Sequence, residues 1–229
     1  MYQFDVVTLF PEMFEAVTDS GVTGRARERK LYELVLWNPR SFAANSYRTV
    51  DDRPYGGGPG MVMKPEPFFD AVAALRCADN SGCKEQVILL DPAGQVFDHA
   101  AAERLAACDH LLLLCGRYEG VDERVVEGLP AEEVSIGDYV LAGGEVPALV
   151  VIEAVTRLVP GVIGKEDSHE QDSFTEPALL DHPQFTRPAQ FRGMAVPEVL
   201  LSGDHGAVER WRREAALDKT RRNRPDLAP

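Results

Sequence analysis

The chain has 229 residues, 45% of them hydrophobic, which is enough for one large domain or a domain with a small appendage and sets disorder aside as the default. No apolar run approaches the ~18–20 residues that cross a bilayer, and Met1-Tyr2-Gln3-Phe4-Asp5 lacks the basic-then-apolar order of a signal peptide, so a soluble, cytoplasmic protein is expected. A net charge of −13 argues against nucleic-acid binding by the surface as a whole, because phosphates need cations, but charge acts locally.

Residues 2–9 read as an opening strand, and Pro11 can start a helix with Met13, Phe14 and Val17 on one face. A basic group follows at Arg25, Arg27, Arg29 and Lys30; a second strand spans 31–37. A polar loop, 38–60, ends in Tyr55-Gly56-Gly57-Gly58-Pro59-Gly60. Its bare G-x-G-x-G is read as a flexible loop, because no buried strand precedes it and Pro65 and Pro67 discourage a helix directly after it. A helix is expected at 68–75. Val87–Leu90 and Leu111–Leu114 are short, wholly apolar runs, as in parallel strands buried on both faces. Helices at 98–107 and 146–158 fill the gaps, so the alternation predicts a layered α/β domain.

Around Pro160 the pattern stops, and the polar stretch 161–175 reads as a linker. Beyond it a helix is expected from about Asp204 to Arg222, with Ala207, Val208, Trp211 and Ala215 at helical spacing and Trp211 in its core. From Arg210 to Arg224 seven basic residues face two acids; taken alone, a solvated helix face is the ordinary reading. Cys77, Cys83, Cys108 and Cys115 form no C-x-x-C pair and are expected as reduced packing thiols. The five histidines show no zinc spacing, and His169 reads as a solvated imidazole.

Three glycine-bearing turns carry the chemistry. They are Asp91-Pro92-Ala93-Gly94, Gly116-Arg117-Tyr118-Glu119-Gly120, and Ser135 through Gly144, with Pro147 opening a helix just behind. In open α/β sheets ligands sit beyond the carboxyl ends of strands, where glycine lets the backbone come close. Together the three turns favour a nucleotide-like ligand. There is no P-loop and no G-x-G-x-x-G dinucleotide fingerprint.

Four motifs then carry a family resemblance: Arg53-Pro54-Tyr55-Gly56-Gly57-Gly58-Pro59-Gly60-Met61, Cys115 through Arg124, Ser135 through Glu145, and Asp172-Ser173-Phe174. In order, and with Pro197 through His205 near the end, they resemble the bacterial tRNA (guanine-N1)-methyltransferases of the TrmD family, in the knotted SPOUT class. The resemblance implies an α/β fold with a parallel sheet and a deep trefoil knot, plus a small helical C-terminal domain. It divides the chain into a catalytic domain at 1–160, a linker at 161–175 and a tRNA-binding domain at 176–229. It also implies S-adenosyl-L-methionine as methyl donor, an obligate homodimer with the active site at the subunit interface, and N1 of guanine at tRNA position 37 as the target.

Residue by residue, the resemblance makes Asp172 the general base and Arg157 the arginine beside the target base. It gives the cofactor Leu90 and Pro92 from the first turn, and Gly116, Tyr118 and Glu119 from the second. The third contributes Ser135, Ile136, Gly137, Asp138, Tyr139, Val140, Leu141, Gly143 and Gly144, with Pro147 behind. Asp91 departs from the small residue often found at its position. Asp52, Pro59 and Gly60, with Arg222 and Arg224, are expected on the anticodon arm of tRNA. No metal site is expected; magnesium at Glu119 is not derivable from the residues, nor are roles for Ser168 and His169. Two other readings stay open: a ribose 2′-O-methyltransferase of the same knotted class, and a non-catalytic RNA-binding module.

Overall fold

The computed structural model describes residues 1–78, 82–163, 172–175 and 179–227; Ser168 and His169 lie outside them. The chain forms two compact units, residues 1–164 and 165–229. In chain order the first contains β1 (Tyr2–Val7), α1 (Glu12–Thr18), α2 (Gly21–Glu28), β2 (Tyr32–Trp37), β3 (Asp51–Asp52), β4 (Val62–Met63), α3 (Pro65–Leu75) and β5 (Glu85–Val96). It continues with α4 (His99–Ala106), β6 (His110–Cys115), α5 (Glu123–Gly128), β7 (Ala131–Ser135) and α6 (Glu145–Leu158).

Five strands make one sheet in the order β2-β1-β6-β5-β7, every pair parallel. The central strand β6 is buried along its whole length. Side chains alternate across a strand, so Leu111 and Leu113 join Phe4, Tyr32 and Ile88 under α1, α4 and α6. Leu112 and Leu114 join Val7, Val87 and Leu89 under α3, against Phe68, Ala71 and Val72. This double coverage is why β6 reads as an unbroken leucine run, and the expected α/β architecture with a parallel sheet is what the chain builds.

Among the elements that the pass along the sequence did not name are α2, α5 and β7, besides the short two-residue strands. The buried side of α2 is Thr23, Gly24 and Ala26, small residues without an apolar stripe. α5 is only six residues long, and β7 is an edge strand carrying Glu132 and Glu133. The expectation that Pro65 and Pro67 delay a helix is corrected, because α3 begins at Pro65 itself. Proline in the first turn loses no intrahelical bond, since the first N–H groups have no partner there.

The cysteine expectation is corrected as well. Cys77 and Cys83 are joined as a disulfide, with Cα atoms 6.3 Å apart, Cys77 following α3 and Cys83 preceding β5. Their spacing matches no motif that would have announced the pair. Cys115 is a buried packing thiol, its pKa pushed well up by burial.

At the amino ends of β5 and β6, His110 stands between two carboxylates. Its Nε2 is 2.8 Å from Asp5 Oδ2 and its Nδ1 is 3.0 Å from Glu85 Oε2. Burial alone would raise the pKa of Asp5 and lower that of His110. Their mutual hydrogen bond and charge, together with the Trp37 and Gln3 bonds to Asp5 and the Glu85 carboxylate on His110, outweigh it, so Asp5 lies below its usual value and His110 above.

The second unit holds β8 (Gln190–Phe191) and β9 (Met194–Ala195), an antiparallel pair, and α7 (His205–Asn223). Asp204 caps α7 by accepting from the Ala207 N–H at 3.0 Å. Trp211, half-buried, packs with its ring centroid 6.2 Å from those of both His182 and Phe185. Thr220 Oγ1 accepts from the Leu180 N–H at 2.9 Å and so pins the incoming chain to the helix.

Candidate functional site

Because the sheet is parallel, β5, β6 and β7 end at one edge, and the three glycine-bearing turns meet there. They enclose a cleft of about 230 Å³. In the first turn, residues 91–94 leave the ladder, so that Leu90 and Gln95 both pair with Val134. Asp91 Oδ1 accepts from the Ala93 N–H at 2.9 Å and closes this excursion. A Cβ on Gly94 would lie 2.4 Å from the Glu133 backbone, so no larger residue fits beside β7. Leu90, Asp91 and Pro92 line the cleft.

The second turn leaves β6 at Gly116. Tyr118 has φ 62° and Gly120 φ 127°, which turns the chain back sharply; Gly116, Tyr118 and Glu119 face the cleft. The third turn is anchored to the second by the Gly144 N–H donating to Gly116 O at 2.9 Å. A Cβ on Gly144 would lie 2.8 Å from Cys115 Cα, so the start of α6 packs directly on the end of β6. Within the third turn Ser135 Oγ accepts from the Gly137 N–H at 3.2 Å, and the Tyr139 hydroxyl donates to Ile136 O at 3.1 Å. Ser135, Ile136, Gly137, Tyr139, Val140, Leu141, Gly143, Gly144 and Pro147 all line the cleft; Asp138 is exposed and does not.

Sequence reasoning passed over Arg117, Gly120, Val134 and Ala142, which also line the cleft. Arg117 is held from three sides. Its Nε forms an ion pair with the fully buried Glu145 Oε2 at 2.8 Å, its Nη1 donates to Ala142 O at 3.2 Å, and its guanidinium lies 4.3 Å from the Phe10 ring centroid. Thr8 Oγ1 donates to the other carboxylate oxygen of Glu145 at 2.9 Å. The second turn is thereby tied to β1 and α6 from beneath. The only sequence signal was an arginine inside a glycine turn and a glutamate at a helix start, neither of them diagnostic.

The glycine-rich loop before β4 also reaches this edge. A Cβ on Gly60 would fall 2.3 Å from Glu119 Oε1, and the Glu119 N–H donates to Met61 O at 2.9 Å. Pro59 is exposed beside it. Asp52 in β3 is 3.4 Å from Lys64 Nζ, and the Arg53 N–H donates to it, so its pKa is lowered first by that backbone bond and then by Lys64.

Arg157 is exposed in the last turn of α6. Asp172 belongs to the second unit and is exposed, lining a cleft of about 780 Å³ with His182, His205, Arg210, Arg212 and Arg213. Among the basic residues of α7, Lys219 Nζ donates to Asp181 O at 2.8 Å, and Arg222 is exposed in the last turn. Arg224, just past the helix, is engaged by Asp226, with Nη2 to Oδ2 at 2.7 Å.

These features define an α/β protein with a cleft at the carboxyl edge of a parallel sheet, joined to a small unit built on a basic helix. The family model described as tRNA (Guanine-1)-methyltransferase TrmD matches residues 2–229, and the chain belongs to that family. Relatives named tRNA (guanine-N(1)-)-methyltransferase include one from Halorhodospira halophila, 56% identical over 98% of this chain and 84% of its own length. Others come from Psychromonas ingrahamii, 54% identical over 97% of this chain and 90% of the relative, and Shewanella denitrificans, 56% identical over 97% and 88%.

Proposed function

We propose that this protein is a cytoplasmic tRNA (guanine-N1)-methyltransferase that moves a methyl group from S-adenosyl-L-methionine to N1 of guanine 37, beside the anticodon. One observation carries the reading furthest. Three turns of a chain in this family, each following a buried strand run, converge on a single cleft, where Gly144 packs so closely on the end of β6 that even a methyl group would not fit. A bent nucleoside ligand suits such a site, because turns at the carboxyl ends of strands offer backbone N–H and C=O groups to its edges among apolar side chains.

Leu90, Pro92, Gly116, Tyr118, Glu119, the third turn from Ser135 to Gly144 with Asp138 in it, and Pro147 are the residues proposed to hold the methyl donor. Once bound, that donor supplies an already electrophilic methyl carbon, so the protein need not furnish a covalent nucleophile. The chain's own task is the guanine. N1 carries a proton that must leave as its lone pair attacks. Asp172 is the proposed acceptor, and a carboxylate does this well once it is partly desolvated. Negative charge then builds on O6, where the Arg157 guanidinium is proposed to stabilise it, a contribution of up to about 3–4 kcal/mol for one well-placed donor. An acceptor at N1–H and a donor at O6 also distinguish guanine from adenine.

Residues 176–229, with Arg222 and Arg224, and the segment Asp52 to Gly60 are the proposed tRNA contacts, through phosphates and unstacked bases. A homodimer is part of the proposal. Val146 and Val150, one helical turn apart on α6, are 45% and 42% exposed, and Phe10 and Met13 near α1 add 39% and 36%. Such a patch suits a second copy of the chain. The trefoil knot of the SPOUT class belongs to the same proposal.

The test is a methylation assay on tRNA transcripts with guanine or adenine at position 37, followed by nucleoside mass spectrometry. Methyl on the guanine base, absent with adenine, is expected. Extra mass on ribose would replace the reading with 2′-O-methylation. No adenosylmethionine binding in a calorimetric titration would leave an RNA-binding module instead.

A further inference from the structure

Among the described residues one group of cysteine and histidine side chains is placed to hold a metal ion, at the amino-terminal edge of the sheet, opposite the cleft. Cys77 follows α3, Cys83 precedes β5, and His110 opens β6. Their two sulfurs and one ring nitrogen all lie within 4.8 Å of one another. Cys77 Sγ is 3.6 Å from His110 Nδ1. Zn–S bonds of ~2.3 Å and Zn–N bonds of ~2.0–2.1 Å, at a tetrahedral angle, separate sulfur and nitrogen by about 3.6 Å. Around this trio the supporting contacts are those of a metal histidine. His110 Nε2 is turned to the buried Asp5 carboxylate at 2.8 Å, and that carboxylate accepts in turn from Gln3 Nε2 at 2.7 Å. A carboxylate on the far nitrogen fixes the ring so that Nδ1 faces the sulfurs. Glu85 Oε2, 3.0 Å from Nδ1, also accepts from the Cys77 N–H at 2.6 Å and holds Cys77 in place.

We propose that, with the Cys77–Cys83 bond reduced, Cys77 Sγ, Cys83 Sγ and His110 Nδ1 hold one zinc-class divalent cation. Two thiolates and an imidazole suit a borderline-soft ion and not magnesium or calcium, which take oxygen ligands. The chemistry balances as follows. A thiol reductant gives two electrons and two protons to the disulfide and is itself oxidised to a disulfide. Binding then expels one proton from each cysteine thiol and the proton on Nδ1, leaving two thiolates and a neutral imidazole on the metal. The ion would clip the end of α3 to the starts of β5 and β6, while the cleft lies beyond the other ends of the same strands. Its role is therefore structural and independent of methyl transfer.

The experiment uses full-length protein, reduced with a thiol reductant, stripped with a chelator and exchanged into metal-free buffer. Cobalt(II) is titrated in as a spectroscopic probe, and zinc(II) is then added. Expected are an intense tetrahedral visible band and a sulfur-to-cobalt charge-transfer band saturating at one ion per chain, both displaced by zinc. Zinc should also raise the Tm of the reduced wild type. Cys83→Ser should lose most of the charge-transfer intensity, and Cys77→Ser with Cys83→Ser all of it, together with the zinc-dependent Tm shift. Reduced wild-type protein that shows no cobalt band and no zinc-dependent Tm shift overturns the proposal, whatever the variants do. So does a band that survives in the double variant.

Discussion

Gly144→Ala tests whether the cleft depends on backbone packing. Gly144 has φ −79° and ψ −6°, which alanine adopts freely, so the substitution adds volume and no dihedral strain. The new methyl would lie 2.8 Å from Cys115 Cα and 3.1 Å from Gly116 N, about 0.6 Å short of the 3.4 Å where ordinary contact begins. Those neighbours are backbone of the central strand and cannot rotate away. The start of α6 must move off the end of β6, which stretches the 2.9 Å bond from the Gly144 N–H to Gly116 O that joins the second and third turns. Overpacking of this kind costs ~1–3 kcal/mol. For a chain of this size that is a Tm loss of ~2–4 °C per kcal/mol. A shift of this order in the turns should weaken adenosylmethionine binding by about tenfold or more, equivalent to ~1.4 kcal/mol. Differential scanning fluorimetry and calorimetric titration measure both. Gly206→Ala is the control, because its Cβ meets nothing nearer than 3.5 Å in the first turn of α7 and should be neutral or slightly stabilising. Unchanged Tm and unchanged cofactor affinity in Gly144→Ala would refute the close-packed backbone cleft.

Asp172→Asn should abolish methyl transfer while adenosylmethionine still binds; normal single-turnover rates would remove Asp172 from the mechanism. Glu145→Ala strands the Arg117 guanidinium under the second turn and should destabilise by ~3–5 kcal/mol, while Arg117→Met with Glu145→Gln should recover much of that loss in thermal melts. An equal Tm for the single and double variants would mean the ion pair is incidental. Arg222→Ala should weaken tRNA binding across sequences and lower the salt slope by about 1, with a smaller change for Arg224→Ala because Asp226 already engages that guanidinium. Equal, unchanged slopes would make the basic end of α7 mere surface. Leu112→Ala, on the face of β6 under α3, should cost ~2–5 kcal/mol in denaturant unfolding without altering the cleft; a loss under ~1 kcal/mol would contradict its full burial.

Much of this protein was legible in its residues because their patterns are local. The run Leu111–Leu114 announced a strand covered on both sides, and the structure shows its leucines alternating between the two cores. Glycines at 94, 116, 120, 137, 143 and 144 marked chain reversals whose backbone has to pass close to something, and the motifs around them sufficed for the family. What the residues alone could not supply was anything depending on which strand lies beside which. α2 and β7 carry no strong periodicity, since one buries small side chains and the other is an edge. The strand order β2-β1-β6-β5-β7 decides that three distant turns share one cleft, that Arg117 finds Glu145 beneath them, and that His110 meets Asp5, Glu85 and Cys77 at the other edge. Each of these is a contact between residues far apart in sequence, and side-chain type encodes what a residue can do in such a contact but not which partner the folded chain brings to it.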